Sequence, residues 1–263
     1  MIASSTSNSK EYYPLPEWSA IKPGKVVLCA MIFVLLWFAG DRISGIVLDK
    51  VAEQSKFRYA KLYKGGNTYD YLVLGNSRGV NSFLVPELNK LTGRKGFNLS
   101  YNGASPHVIE ALLSDYYERN EAPKMIVYEV SNLNGSGNGF ISNMKPFIGK
   151  SDGLSEQYSE SNPDAYRATQ LTHLYRYNTE LFLRVLYYIP QTDQGWINGY
   201  TMDPAMIENY NPADHGWESF GLPTVTGLAS LNRMIALANE HGTEFLLTVG
   251  PYLPQHIKQL PGY

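Results

Sequence analysis

Apolar and polar positions along this chain follow two different periods. Residues 69–74 form a short, nearly unbroken apolar run that predicts a strand buried on both faces. It stops at Gly75-Asn76-Ser77-Arg78-Gly79, a small polar turn. Phe97-Asn98-Leu99 predicts a second short strand, and residues 125–130 a third. Between them, Ser105-Pro106 has the form of a helix N-cap followed by proline at the first helical position. Val108, Leu112, Leu113 and Tyr116 then recur at helical spacing to about Arg119. Residues 178–189 predict an apolar helix stopped by Pro190, and Thr226 caps a last helix with Leu228, Leu231, Ile235 and Ala238 on one face. Residues 244–249 predict a fourth strand, ended by Gly250-Pro251. Strands alternating with helices predict an α/β domain over 69–263, built on a doubly wound parallel sheet. Residues 131–161, rich in Asn, Gly and Ser, and 191–223, rich in Trp, Tyr, Asn and Pro, are expected to be long loops or an inserted lobe.

The N-terminal quarter follows neither period. Residues 26–40 read VVLCAMIFVLLWFAG, without a charge. As a helix they cover about 22 Å, short of a hydrocarbon core of roughly 30 Å. The apolar pattern resumes over 43–48 after Asp41 and Arg42, so a tilted helix with its charges near the interface reaches across. This divides the chain into a tail (1–25), a transmembrane anchor (26–48), a polar and basic-aromatic stalk (49–68) and the domain. A cleaved signal peptide and a buried helix are the alternatives. Phe38 is bulky for the −3 position of a cut after Gly40, and the preceding segment is long for a signal peptide's basic region. Both favour an uncleaved anchor. Lys10, Lys22 and Lys25 precede the run, against Arg42 and Lys50 just after it. The expected topology is single-pass, with the N-terminus cytoplasmic and the domain periplasmic or extracellular.

Charge and composition narrow the chemistry. A net charge of −2 over 263 residues suggests no polyanionic partner, so nucleic-acid binding is not expected. Cys29 is the sole cysteine and lies in the apolar run, which excludes an intramolecular disulfide and a thiolate metal site. No metal-ligand spacing stands out, and no cofactor is expected. Gly135, Gly137 and Gly139 follow a strand but open no helix, a poor dinucleotide fingerprint. Gly149-Lys150-Ser151 lacks the upstream glycine of a P-loop. The 20 tyrosines suit either a carbohydrate-facing surface or ordinary packing.

A buried strand that delivers a serine into a tight turn presents a hydroxyl at the sheet edge. Three blocks accompany the strands: Gly75-Asn76-Ser77-Arg78, residues 98–103, and Val130-Ser131-Asn132. In this order they resemble the SGNH (GDSL-type) hydrolase superfamily over roughly 69–254. The closest likeness is to its membrane-anchored bacterial members associated with cell-surface polysaccharide acylation. The resemblance implies a flavodoxin-like three-layer α/β sandwich with Ser77 as nucleophile. Gly103 would donate its backbone N–H, and Asn132 its side-chain amide, to the oxyanion. Asn76 stands where the name-giving motif has Asp, and Val130 where the family has glycine. The implied activity is that of a serine esterase or O-acyl(acetyl)transferase on acylated envelope or exopolysaccharide carbohydrate, with polysaccharide-assembly proteins as partners. A noncatalytic carbohydrate-binding or assembly subunit is the alternative. Each residue also has a plainer role open to it: Asn76 and Ser77 as turn formers, Gly103 as a tight-turn residue, Asn132 as the opening of a loop.

Such a serine needs a base, and the family takes it from a late Asp-x-x-His block. None of His107, His173, His215, His241 and His256 has Asp three residues earlier, and no Asp follows the fourth strand. The resemblance therefore implies a chain cut short before that block. Asp214-His215, adjacent rather than spaced, is a lesser candidate. His107 in a first helical turn, His173 on a helical face and His241 at a helix end read as structural.

Overall fold

The computed structural model describes residues 22–131, 133, 138–191 and 223–250. The chain divides into two compact units, Met1–Gly40 and Asp41–Tyr263. The described part of the first is the start of helix α1 (Pro23–Ala52), whose apolar side chains are exposed. α1 is long and apolar enough to cross a membrane, a property shared by an anchor and a signal sequence.

The second unit is built on a four-stranded parallel sheet. Its strands β1 (Tyr71–Leu74), β2 (Gly96–Asn98), β3 (Met125–Glu129) and β4 (Glu244–Thr248) lie in the order β2-β1-β3-β4. Every residue of β1 is buried, and side chains alternate between the faces as strand geometry requires. Tyr71 and Val73 pack with Val85, Phe83 and Leu88 on one face. Leu72 and Leu74 join Phe97, Ile126 and Tyr128 in the larger core on the other.

The chain leaves β1 through α3 (Ser77–Ser82) and α4 (Val85–Thr92) to reach β2. It then crosses back over β1 through α5 (Pro106–Arg119) to β3. With right-handed crossovers this reversal sends α4 and α5 to opposite faces. It also creates a crevice at the carboxyl ends of β1 and β3, where the strand order changes direction. Ser105 caps α5 as the sequence predicts, its Oγ accepting from the Val108 N–H at 3.4 Å. The last helix, α9 (Val225–Glu240), starts earlier than its pattern suggests, because Thr224 rather than Thr226 takes the cap and accepts from the Gly227 N–H at 3.0 Å. β4 is the edge strand among the described residues, and Leu246 and Leu247 remain half exposed on it.

Two segments depart from their composition. The Asn, Gly and Ser content of 131–161 predicts a long loop or an inserted lobe, and its described residues include a 3₁₀ helix (Asn138–Lys150) and α6 (Asp152–Ser161). Phe140, Ile141, Met144, Phe147 and Ile148 are buried there, with Phe140 stacked on Tyr101 at 4.1 Å and Phe147 on Tyr63 at 4.7 Å. A few well-placed rings outweigh the polar average. Residues 49–68, expected to be a stalk, contain α2 (Arg58–Lys64), where Phe57, Tyr59 and Leu62 are core residues. Arg58 is buried with them, its guanidinium 5.1 Å from the Tyr101 ring and 5.3 Å from that of Tyr59. Burial pulls its pKa below the ordinary arginine value, and the ring faces supply favourable electrostatics there. Apart from their ends, residues 191–223 lie outside the described set.

The C-terminal part of α1 belongs to this unit and secures the remaining helices, α7 (Pro163–Leu171), a 3₁₀ turn (His173–Tyr177) and α8 (Glu180–Tyr187). Buried Asp41 accepts from the His173 N–H at 2.7 Å and the Leu174 N–H at 3.0 Å. Arg42 donates to the Gln170 and Leu171 carbonyls at 3.0 and 3.2 Å. One side-chain pair thereby satisfies a helix end and the next helix start, groups that otherwise lack partners.

α2 and α5 are joined by the Tyr63 hydroxyl, which donates to Asp115 at 2.6 Å. Burial pushes the Asp115 carboxyl up to about 6. Its folded-state pKa thus lies above the unfolded value of ~3.9, so the folded state holds the extra proton in that window. Stability from this group is present below pH ~4 and is lost as pH rises through about 6. Replacing Asp115 with Asn is expected to flatten that slope in chemical unfolding of the detergent-solubilised chain between pH 4 and 7. An unchanged slope would contradict the assignment.

Candidate active-site edge

Ser77 is the first helical residue after β1 and partly buried. Asn76 caps the helix, its Oδ1 accepting from the Arg78 N–H at 2.9 Å. This side chain acts locally, leaving the Ser77 hydroxyl without a hydrogen-bond partner among the described residues. Gly75 makes the turn possible. Its φ is +152°, and a Cβ there would sit 2.9 Å from the Glu129 Cβ on β3.

The second block lies beside the first. β2 continues past its formal end, with the Leu99 N–H donating to Val73 at 2.9 Å and the Tyr101 N–H to Gly75 at 3.1 Å. Fully buried Asn98 then bridges the two turns. Its Nδ2 donates to the Gly79 carbonyl at 2.9 Å, and its Oδ1 accepts from the Ser100 N–H at 2.9 Å. The Ser100 hydroxyl is buried against Gly79 and has no partner among the described residues. Gly103 is exposed with φ +75°, and nothing lies within 4 Å of where a side chain would begin. Glycine is required there by the left-handed backbone rather than by crowding. The structure therefore brings the Ser77 and Gly103 loops to the same carboxyl edge. Asn132 lies outside the described residues.

Glu129, which the sequence did not single out, organises this edge. It ends β3 and is 1% exposed. Its Oε1 accepts from the Gly250 N–H at 3.1 Å and lies 3.4 Å from Arg78 Nε, while Oε2 accepts from Ser131 Oγ at 2.8 Å. Arg78 Nη2 donates onward to the Gly250 carbonyl at 2.9 Å. One carboxylate thus ties the serine turn to the ends of β3 and β4. Its only sequence signal is an acidic residue closing an apolar strand.

The described histidines are engaged elsewhere. His107 Nδ1 lies 2.6 Å from Ser230 Oγ on α9, beside a cleft of about 450 Å³ that Glu110, Glu156, Gln157 and Arg233 help to line. His173 packs against Gly45, and His241 stacks on Tyr117 at 4.0 Å. His215 and His256 are outside the described residues, as is the stretch 196–217. Among the described residues no group of His, Cys, Asp or Glu could hold a metal ion. No family model, curated protein or solved structure matches the chain.

Removing one partner of a buried ion pair costs about 3–5 kcal/mol. Glu129→Ala is expected to lose stability in that range by chemical unfolding, and Glu129→Gln, which keeps an acceptor, clearly less. Gly75→Ala is expected to lose about 1–3 kcal/mol through backbone strain. Wild-type stability in Glu129→Ala would show that the carboxylate does not hold the edge.

Proposed function

We propose that this domain is an SGNH-type serine site, a membrane-anchored esterase or O-acyl(acetyl)transferase acting on acylated carbohydrate of the cell envelope or an exopolysaccharide. The observation that carries the proposal is Ser77 itself. It follows a buried parallel strand at the point where the strand order reverses, its hydroxyl has no partner among the described residues, and its turn is bonded to the loop that carries Gly103. The four-strand order is compatible with a doubly wound, flavodoxin-like three-layer sandwich.

In the proposed reaction Ser77 Oγ attacks the acyl carbonyl as a base removes its proton. The Ser77 and Gly103 N–H groups and the Asn132 amide donate to the developing oxyanion, each donor lowering the barrier by ~3 kcal/mol. Collapse breaks the ester C–O bond, and the base passes its proton to the departing sugar oxygen, leaving acyl-Ser77. Water then releases the acyl group in an esterase, or a sugar hydroxyl takes it in a transferase. The base comes from outside the described residues. An anchor at α1 would keep the domain at the outer membrane surface, near polysaccharide-assembly proteins. The engagement of His107, His173 and His241 away from the serine turn favours a second reading, a noncatalytic carbohydrate-binding or assembly subunit on the same fold.

The discriminating experiment treats the full-length protein, detergent-solubilised and vesicle-reconstituted, with a fluorophosphonate probe. Labelling that disappears in Ser77→Ala is the expected result. Labelling that persists in Ser77→Ala removes Ser77 as nucleophile. Glycan binding without labelling of either form would establish the noncatalytic alternative.

A further inference from the structure

The apolar run 26–40 is too short to cross a bilayer comfortably, and Asp41 and Arg42 interrupt its continuation in the sequence. In the folded second unit those two charges do not face outward as a pair of solvated ends. Asp41 is 3% exposed and spends both carboxylate oxygens on the His173 and Leu174 N–H groups, while the Arg42 guanidinium is bound to the carbonyls of Gln170 and Leu171. Gly45 is buried on the same side of the helix, against His173, and its carbonyl accepts from the Tyr177 hydroxyl at 2.9 Å.

The opposite side of this helical segment carries Ile43, Ile46 and Val47, at helical spacing and 53–62% exposed. Leu171 and Leu174 lie on the segment that Asp41 and Arg42 hold, and are 70% and 42% exposed. The two segments of this junction thus leave five large aliphatic side chains open, surface for which water is a poor solvent. The helix is continuous from Pro23 to Ala52. With the two charges satisfied by the protein, the apolar positions of the sequence continue from Val26 to Val47, a helical length of roughly 33 Å, enough for the hydrocarbon thickness that the uncharged run alone does not reach.

We infer that this patch is a lipid-contact surface: Ile43, Ile46 and Val47, with Leu171 and Leu174 beside them, lie in the membrane, and the α7–3₁₀ junction sits at bilayer depth. The occupant is lipid because Ile43, Ile46 and Val47 follow the uncharged run 26–40 in the same chain, separated from it only by the two charges that the protein itself satisfies. The domain would then be seated on the membrane by its own surface rather than carried on a flexible stalk. This inference rests on the anchor proposed above.

The test uses the full chain with Cys29→Ser, reconstituted in phosphatidylcholine–phosphatidylglycerol vesicles. Single cysteines at Leu35, Ile46, Leu171, Leu174 and, as an aqueous control, Leu91 carry a nitroxide label. Leu91 is 82% exposed on α4. Relaxation by oxygen, which partitions into lipid, is compared with relaxation by a water-soluble nickel chelate. The expected result is an oxygen-to-nickel ratio several-fold higher at Ile46, Leu171 and Leu174 than at Leu91, as at Leu35. A high ratio at Leu35 with Leu171 and Leu174 equal to Leu91 would overturn the inference while leaving the anchor intact. A low ratio at Leu35 as well would remove the anchor and the inference together. Protection of Leu171 and Leu174 from both reagents would mean that protein covers the patch, and would also overturn it.

Discussion

A carboxylate buried at the end of a parallel sheet is costly unless its oxygens find partners, and the candidate site is built around one with both oxygens engaged. Glu129 accepts hydrogen bonds from Ser131 and from the backbone of Gly250, and lies at ion-pair distance from Arg78. Arg78 follows Ser77 directly, so satisfying the glutamate also fixes the turn that carries the serine. The close approach of Gly75 to Glu129 belongs to the same constraint, since a side chain at 75 would push the two strand ends apart. Buried ion pairs add little net stability because desolvation offsets attraction. What this one supplies is position: three strand ends held in one arrangement.

The strand order explains why that arrangement is suited to chemistry. Because the chain crosses back over β1 on its way to β3, the loops after these neighbouring strands leave toward opposite faces and open a crevice between them. Ser77 stands at one lip of it, and Glu129 and Ser131 at the other. Asn98 joins the lip at β1 to the loop after β2, using its amide as a donor to one turn and an acceptor from the next. Tyr101 of that loop stacks on Phe140, and the Arg58 guanidinium lies 5.1 Å from its ring. The polar edge is therefore supported from the core side by rings and a buried cation.

At the N-terminus the same principle works in another setting. Asp41 and Arg42 look in the sequence like the charged end of an apolar helix. Folded, they are internal partners of a helix junction some 130 residues later, and the helix face they leave behind is aliphatic. A charge breaks an apolar surface only if it reaches that surface.

Local signals were sufficient for the elements themselves. Apolar runs bounded by glycine and proline located the four described strands to within two residues, Ser105-Pro106 located the start of α5, and the Gly75–Gly79 turn marked the end of β1. The α/β class and the long apolar N-terminal helix were legible for the same reason: each is written in consecutive residues. Composition says less where averages conceal position, as in 131–161, where Phe140, Ile141, Met144, Phe147 and Ile148 are buried among Asn, Gly and Ser, and in 49–68, where Phe57, Arg58 and Tyr59 are buried. The sequence by itself determined where strands end and which hydroxyl is presented there. Only the tertiary structure decided that Glu129, Asn98 and Arg58 hold that edge and that Asp41 and Arg42 turn inward. A buried polar side chain is defined by its partners, and these partners lie up to 172 residues away, brought within hydrogen-bond reach by the order of strands in the sheet and the packing of helices around it.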